Sequence, residues 1–149
     1  MYPLKVKAAA LFISMAMLLG INTVAHAKDE SLADEKVVLQ ISDPNPFKQT
    51  LVLNVASNLK KLLGQDQVEV EIVAFGPGLR LLQEGNANTG RIKGLAGQGV
   101  RFSACAQTMK KMTKILGEEP PLNSNAVVVT GGVTRILELQ KQGYSLIKP

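Results

Sequence analysis

The chain has 149 residues, with 17 basic and 12 acidic side chains, one cysteine, one histidine and no tryptophan. Its formal charge of +5 is modest, and a chain of this length supplies one domain core rather than two. A single cysteine excludes an internal disulfide and any metal site built from several thiolates.

Residues 1–27 read as a secretory signal peptide. Lys5 and Lys7 form a short basic start, residues 8–20 an apolar centre, and Ala25-His26-Ala27 a small-x-small cleavage motif before Lys28. An uncleaved membrane anchor is the competing reading, but Gly20, Asn22 and Thr23 interrupt an apolar run that barely reaches spanning length. Cleavage after Ala27 predicts a periplasmic or otherwise exported protein with no membrane attachment. It also removes His26, the sole histidine. The mature chain then has no Ser-His-Asp or Cys-His pair and no imidazole ligand for a metal. Lys5 and Lys7 leave with the signal, so the mature protein is less basic than the whole chain. Only Lys60-Lys61 and Lys110-Lys111 are adjacent cations, and the remaining aromatics are Phe47, Phe75, Phe102 and Tyr144. Nucleic-acid binding is not supported, and these lysines read as a solvated surface.

Residues 28–35 are polar and read as a flexible leader, with the domain spanning 36–149. The apolar run 37–41 predicts a buried strand, and Asp43-Pro-Asn-Pro46 a turn. From Phe47 onward Leu51, Val55, Leu59 and Leu62 recur at helical spacing, with Pro46 in the first turn and Gly64 as the stop. Residues 68–75 predict a second strand. Gly76-Pro77-Gly78 is a turn, followed by a short helical stretch at Leu79, Leu81 and Leu82 and a second candidate over 91–98. Residues 100–104 predict a third strand and 106–116 a helix with Met109, Met112 and Leu116 on one face. Residues 125–130 predict a fourth strand, 133–142 a helix capped by Gly143, and 144–148 a closing edge strand. Strands alternating with helices imply an α/β fold, an open and mostly parallel five-stranded sheet with helices on both faces.

In such a sheet the strand-to-helix junctions share the carboxyl edge, where ligands bind. Four segments are therefore expected there: 43–46, 76–78, Ala104-Cys105 and Thr130-Gly131-Gly132. Cys105 precedes a helix, whose N–H groups and dipole favour a thiolate. A buried, inert thiol is the alternative. Gly76 and Gly78 either admit a ligand to the backbone or simply turn the chain. Gly131 and Gly132 open a helix and offer N–H groups to an anion. Asp43 is a carboxylate for the site or the first residue of a turn. No cofactor is expected, since neither G-x-x-x-x-G-K-[ST] nor G-x-G-x-x-G occurs. The methionine stripe reads as core rather than as a metal ligand set.

Taken together, segments 36–50, 68–83, 99–112 and 127–149 resemble the DsrE/DsrF-like family, in its exported single-domain branch. The signature is an ordered combination that includes Ala104-Cys105-x-x-Thr108-Met109 and the ending Gly143-Tyr144-x-x-Ile147-Lys148-Pro149. The resemblance implies a flavodoxin-like three-layer fold, homo-oligomers of three or six subunits, and a cysteine carrying sulfur as a persulfide. Cys105 stands at that position. Two functions follow as expectations. One is a persulfide carrier or sulfurtransferase-like relay that exchanges sulfur with a donor or acceptor protein. The other is a non-catalytic oligomer binding a small ligand or anion at Gly76, Gly78, Gly131 and Gly132.

Overall fold

The computed structural model describes residues 33–149. The expected signal peptide, with its cleavage site, lies outside them. Strand β1 (Glu35–Ile41) begins one residue before the expected start at Lys36 and leads into helix α1 (Pro46–Leu63). Asn45 caps that helix, its side chain accepting the Phe47 N–H at 2.9 Å, while Pro46 fills a first-turn position that needs no N–H. Gly64 ends it at φ 100°, a backbone conformation glycine adopts without strain. The buried face of α1 is Val52, Leu53 and Ala56, with Val55 and Leu59 partly covered. Leu51 and Leu62, assigned to that face by spacing, are exposed. The helix is apolar on more than one side, so periodicity alone selected a stripe rotated from the true one.

Lys60 is a second correction, because it is buried rather than solvated. Its ammonium donates to the carbonyls of Gln65 and Val68 at 3.0 and 2.7 Å, closing the turn into β2 (Val68–Ala74). Burial pushes its pKa below the usual lysine value, with Asp66 and Glu69 opposing that push. After β2 the Gly76-Pro77-Gly78 turn opens directly into a 3-10 helix over Gly76–Leu82. Helix α2 (Thr89–Gly97), strand β3 (Arg101–Cys105), helix α3 (Ala106–Leu116), strand β4 (Ala126–Val129), helix α4 (Gly132–Lys141) and strand β5 (Ser145–Ile147) complete the domain.

The five strands are all parallel, in the order β4-β3-β2-β1-β5. From β1 through β4 each strand lies beside its predecessor, so right-handed crossovers place α1, α2 and α3 on one face. The β4-to-β5 connection runs back across the sheet and places α4 on the other. Two separate cores match this division. The larger packs Val70, Ile72, Phe102 and Ala104 under α1, the 3-10 helix and α2, and the smaller packs Val38 and Val73 under Ile136 and Leu139 of α4. The chain is therefore a three-layer, flavodoxin-like α/β domain.

The strand order fixes one position above others. Strands β3 and β4 are neighbours, yet their following helices leave toward opposite faces. Such a divergence opens the crevice at the carboxyl edge where ligands of parallel sheets bind. The residue at the end of β3 is Cys105.

Candidate functional site

Cys105 is both the last residue of β3 and the N-cap of α3, paired in register with Val129 of β4. Side chains alternate along a strand, and Phe102 and Ala104 pack into the larger core, so Ser103 and Cys105 belong to the α4 face. The thiol is free and 5% exposed.

Burial raises the Cys105 pKa, and it is outweighed by groups that favour a charged sulfur. These are the Thr108 hydroxyl and the backbone N–H groups of Thr108, Gly132 and Gln107, and the net effect lowers the pKa from its ordinary 9.0. The thiol closes no capping hydrogen bond onto α3. The stabilisation is thus a convergence of dipoles on the sulfur rather than one capping contact. It comes from two helices at once, Gln107 and Thr108 in the first turn of α3 and Gly132 at the start of α4. Helix N-termini carry partial positive charge, and two of them meeting at one sulfur favour thiolate more than either alone.

Three further features hold this arrangement. The Gly76 N–H donates to Thr108 Oγ1 at 2.8 Å, tying the β2 exit to α3. Gly132 sits so close to Phe75 that an added Cβ would lie 2.7 Å from that ring's own Cβ. Glu71, fully buried in β2, accepts from Arg135 of α4 at 2.8 Å through both carboxylate oxygens, from Ser103 Oγ at 2.6 Å and from Arg101 Nε at 3.0 Å. Ser103 stands two residues before the thiol, and Arg135 stands one turn after Gly132. Burial would raise the Glu71 pKa, but Arg135, Ser103 and Arg101 hold it below the usual carboxylate value. Arg101 also meets Glu69 at 3.1 Å and the Tyr144 hydroxyl, which itself bonds Glu69. This ionic layer between the sheet and α4 was not anticipated from sequence. The alternation Glu69, Glu71 in an otherwise apolar strand was its one visible signal.

Of the expected site residues, Cys105, Gly76 and Gly132 come together. Gly131 is the N-cap of α4, beside Gly132, and its carbonyl accepts the Thr134 hydroxyl at 2.9 Å. Gly78 is structural: an added Cβ would lie 2.5 Å from the Ile41 carbonyl oxygen, so it serves close packing of β1 against the 3-10 helix. Asp43 is exposed, accepts the Asn45 N–H at 2.9 Å and pairs with Lys48 at 3.4 Å. It starts the turn before α1. Since β2 and β1 separate β3 from the far edge, the Asp43 segment lines a different recess, of about 170 Å³, with Lys148 and Pro149.

A cavity of about 440 Å³ adjoins the thiol's surroundings, with Gly76, Gln107 and Thr108 among its walls. A larger open groove of about 620 Å³ lies between α3 and Val128 of β4 and is flanked by Lys110 and Lys114. Among the described residues, no group of His, Cys, Asp and Glu is placed to hold a metal ion.

The fold and this site define a parallel α/β domain with one thiol at the switch point of its sheet. Residues 35–149 match the DsrE/DsrF-like family, and the chain belongs to it. A structure of a protein of unknown function from Methanobacterium thermoautotrophicum, MTH1491, is similar at 31% identity and a TM-score of 0.70, covering 78% of this chain and all of that one. The ychN protein of E. coli matches at 14% identity and a TM-score of 0.60, over 77% of this chain and 99% of its own. The conserved protein BT1422 from Bacteroides thetaiotaomicron, also of unknown function, matches at 14% and 0.54, over 77% and 95%. The last two likenesses speak to the fold. No curated protein matches the chain. Family membership points to a sulfur-relay-like function, and this chain brings one cysteine to it.

Proposed function

We propose that this protein carries sulfur as a persulfide on Cys105, in a compartment reached through the N-terminal signal. The observation that carries the proposal is the convergence of α3 and α4 N–H groups on that sulfur. In the loading step the Cys105 thiolate attacks the outer sulfur of a donor persulfide, R–S–SH. A new S–S bond forms on Cys105, the donor S–S bond breaks, and R–S⁻ leaves with the electron pair. An acceptor thiolate then attacks the outer sulfur and regenerates the Cys105 thiolate. No net oxidation or reduction occurs. The helix N–H groups stabilise the negative sulfur before loading and again after release. With one cysteine in the chain, release is intermolecular.

Export and assembly belong to the same proposal. Lys5, Lys7 and the Ala25-His26-Ala27 motif support a cleaved signal. A homo-oligomer of three or six subunits is supported by the apolar surface left on and around the thinly covered face, where Val127, Val133, Leu137 and Leu146 are exposed.

Burial of Cys105 favours a second reading, a non-catalytic protein that binds a small anion at the same junction. Sulfur transfer from a persulfide donor to an acceptor thiol separates the two. Transfer that depends on the protein and disappears in Cys105→Ala supports the carrier. Ligand-induced stabilisation that survives Cys105→Ala, without transfer, supports binding alone.

A further inference from the structure

The cavity between the 3-10 helix and α3, which reaches Gln107 and Thr108 next to Cys105 in the chain, has a chemical character of its own. Its upper wall is Gly76, Gln107 and Thr108, and the last two also favour the charged Cys105 sulfur. Its charged walls are Arg80 and Lys111, and no acidic residue lines it. Among the described residues, neither side chain takes part in an ion pair. The remaining surface is apolar, from Met112, Ile115 and Leu116, and Ile115 is 72% exposed. About 440 Å³ falls within the range of small-molecule sites, well short of what a folded partner would fill.

We infer that this cavity is the seat of the donor or acceptor for Cys105, and that its occupant is a small organic thiol or persulfide carrying a carboxylate. This rests on the carrier reading above. The carboxylate meets Arg80 and Lys111, the organic body covers Met112 and Ile115, and the sulfur end points past Thr108 toward the thiolate. The charge logic extends to the reaction: when the donor S–S bond breaks, the departing R–S⁻ stays beside two cations, which lowers the cost of its release. A protein donor with an acidic surface would use the broader lysine-flanked groove of α3 instead, leaving Arg80 without a role.

The test uses two alkylating probes on the full chain, iodoacetate and the neutral iodoacetamide, with Cys105 labelling followed by intact mass. A cationic approach raises the iodoacetate-to-iodoacetamide rate ratio about tenfold above that of free cysteine. Arg80→Ala and Lys111→Ala, both exposed positions, each lower that ratio while leaving the iodoacetamide rate unchanged. A ratio equal to that of free cysteine, or one unmoved by either substitution while iodoacetamide still reacts, overturns the cavity assignment and leaves the carrier reading standing. If neither probe labels the folded protein, the carrier reading fails and this inference falls with it.

Discussion

The Gly76 N–H donates to Thr108 Oγ1 at 2.8 Å, and that bond decides what Thr108 offers to Cys105. With the oxygen accepting from Gly76, the hydroxyl hydrogen is left to turn toward the sulfur, where Thr108 lowers the thiol pKa. Thr108→Val keeps the shape and removes the donor. At the lower end of what a hydrogen bond to a charged group is worth, about 1.5 kcal/mol, the thiol pKa rises by about one unit, and the thiolate fraction of a mostly protonated thiol falls about tenfold. Nucleophilicity regains roughly half of that on a logarithmic scale. Alkylation at pH 7 therefore slows about threefold, with its pH inflection moved toward 9.0; an unchanged profile would show that Thr108 is mere packing.

Gly132→Ala is expected to be costly on two counts. The new methyl lies 2.7 to 2.9 Å from Phe75 side-chain atoms, and relieving such overlap costs about 1–3 kcal/mol. Relief also moves the first turn of α4, and its N–H, away from the sulfur. Thermal unfolding and thiol alkylation should both change, whereas Gly131→Ala meets only Thr134 Oγ1, disturbs its hydrogen bond to the Gly131 carbonyl and leaves the Phe75 contact intact, and should change less.

Glu71 links stability to pH. Its folded pKa lies below the ordinary 4.5 because Arg135, Ser103 and Arg101 outweigh the effect of burial. A depressed carboxylate pKa contributes stability that is fully present above the unfolded value and is lost as pH falls through the folded one. Denaturant midpoints should therefore drop on acidification below about pH 4.5. Glu71→Gln should remove that acid-side dependence and cost about 1–3 kcal/mol at neutral pH, because the half-buried Arg135 and Arg101 lose the buried carboxylate they share, Arg135 keeping only its contact with Glu138. Equal acid sensitivity in wild type and Glu71→Gln would place the titration elsewhere.

Two substitutions separate site from scaffold among the positions first singled out in the sequence. Gly78→Ala forces backbone apart at Ile41, where the clash distance is 2.5 Å, and should destabilise by about 3 kcal/mol. Asp43→Asn, on an exposed turn, should leave both stability and Cys105 alkylation near wild type, as urea melts and labelling rates would report.

The parts that were legible in the sequence are those set by local chemistry. Pro46, Gly64 and Gly143 bounded helices correctly, and the chain order of strands and helices gave the parallel sheet. The thiol's place at a strand-to-helix junction was readable for the same reason. What the sequence could not give was which junctions are neighbours. Nothing in residues 43–46 distinguishes them from 130–132; only the order β4-β3-β2-β1-β5 brings Gly132 to Cys105 and leaves Asp43 across the sheet. The Glu71–Arg135 pair spans 64 positions and couples a strand to a helix two units later. Lys60 was misread because a lysine that satisfies two carbonyls looks, in sequence, like any surface lysine.

The most direct test of sulfur carriage is the intact mass of the full protein after exposure to a persulfide donor under non-reducing conditions. A gain of one sulfur atom is predicted, located to Cys105, absent in Cys105→Ala and reversed by an acceptor thiol. A wild-type mass that stays unchanged while the donor is consumed would contradict it.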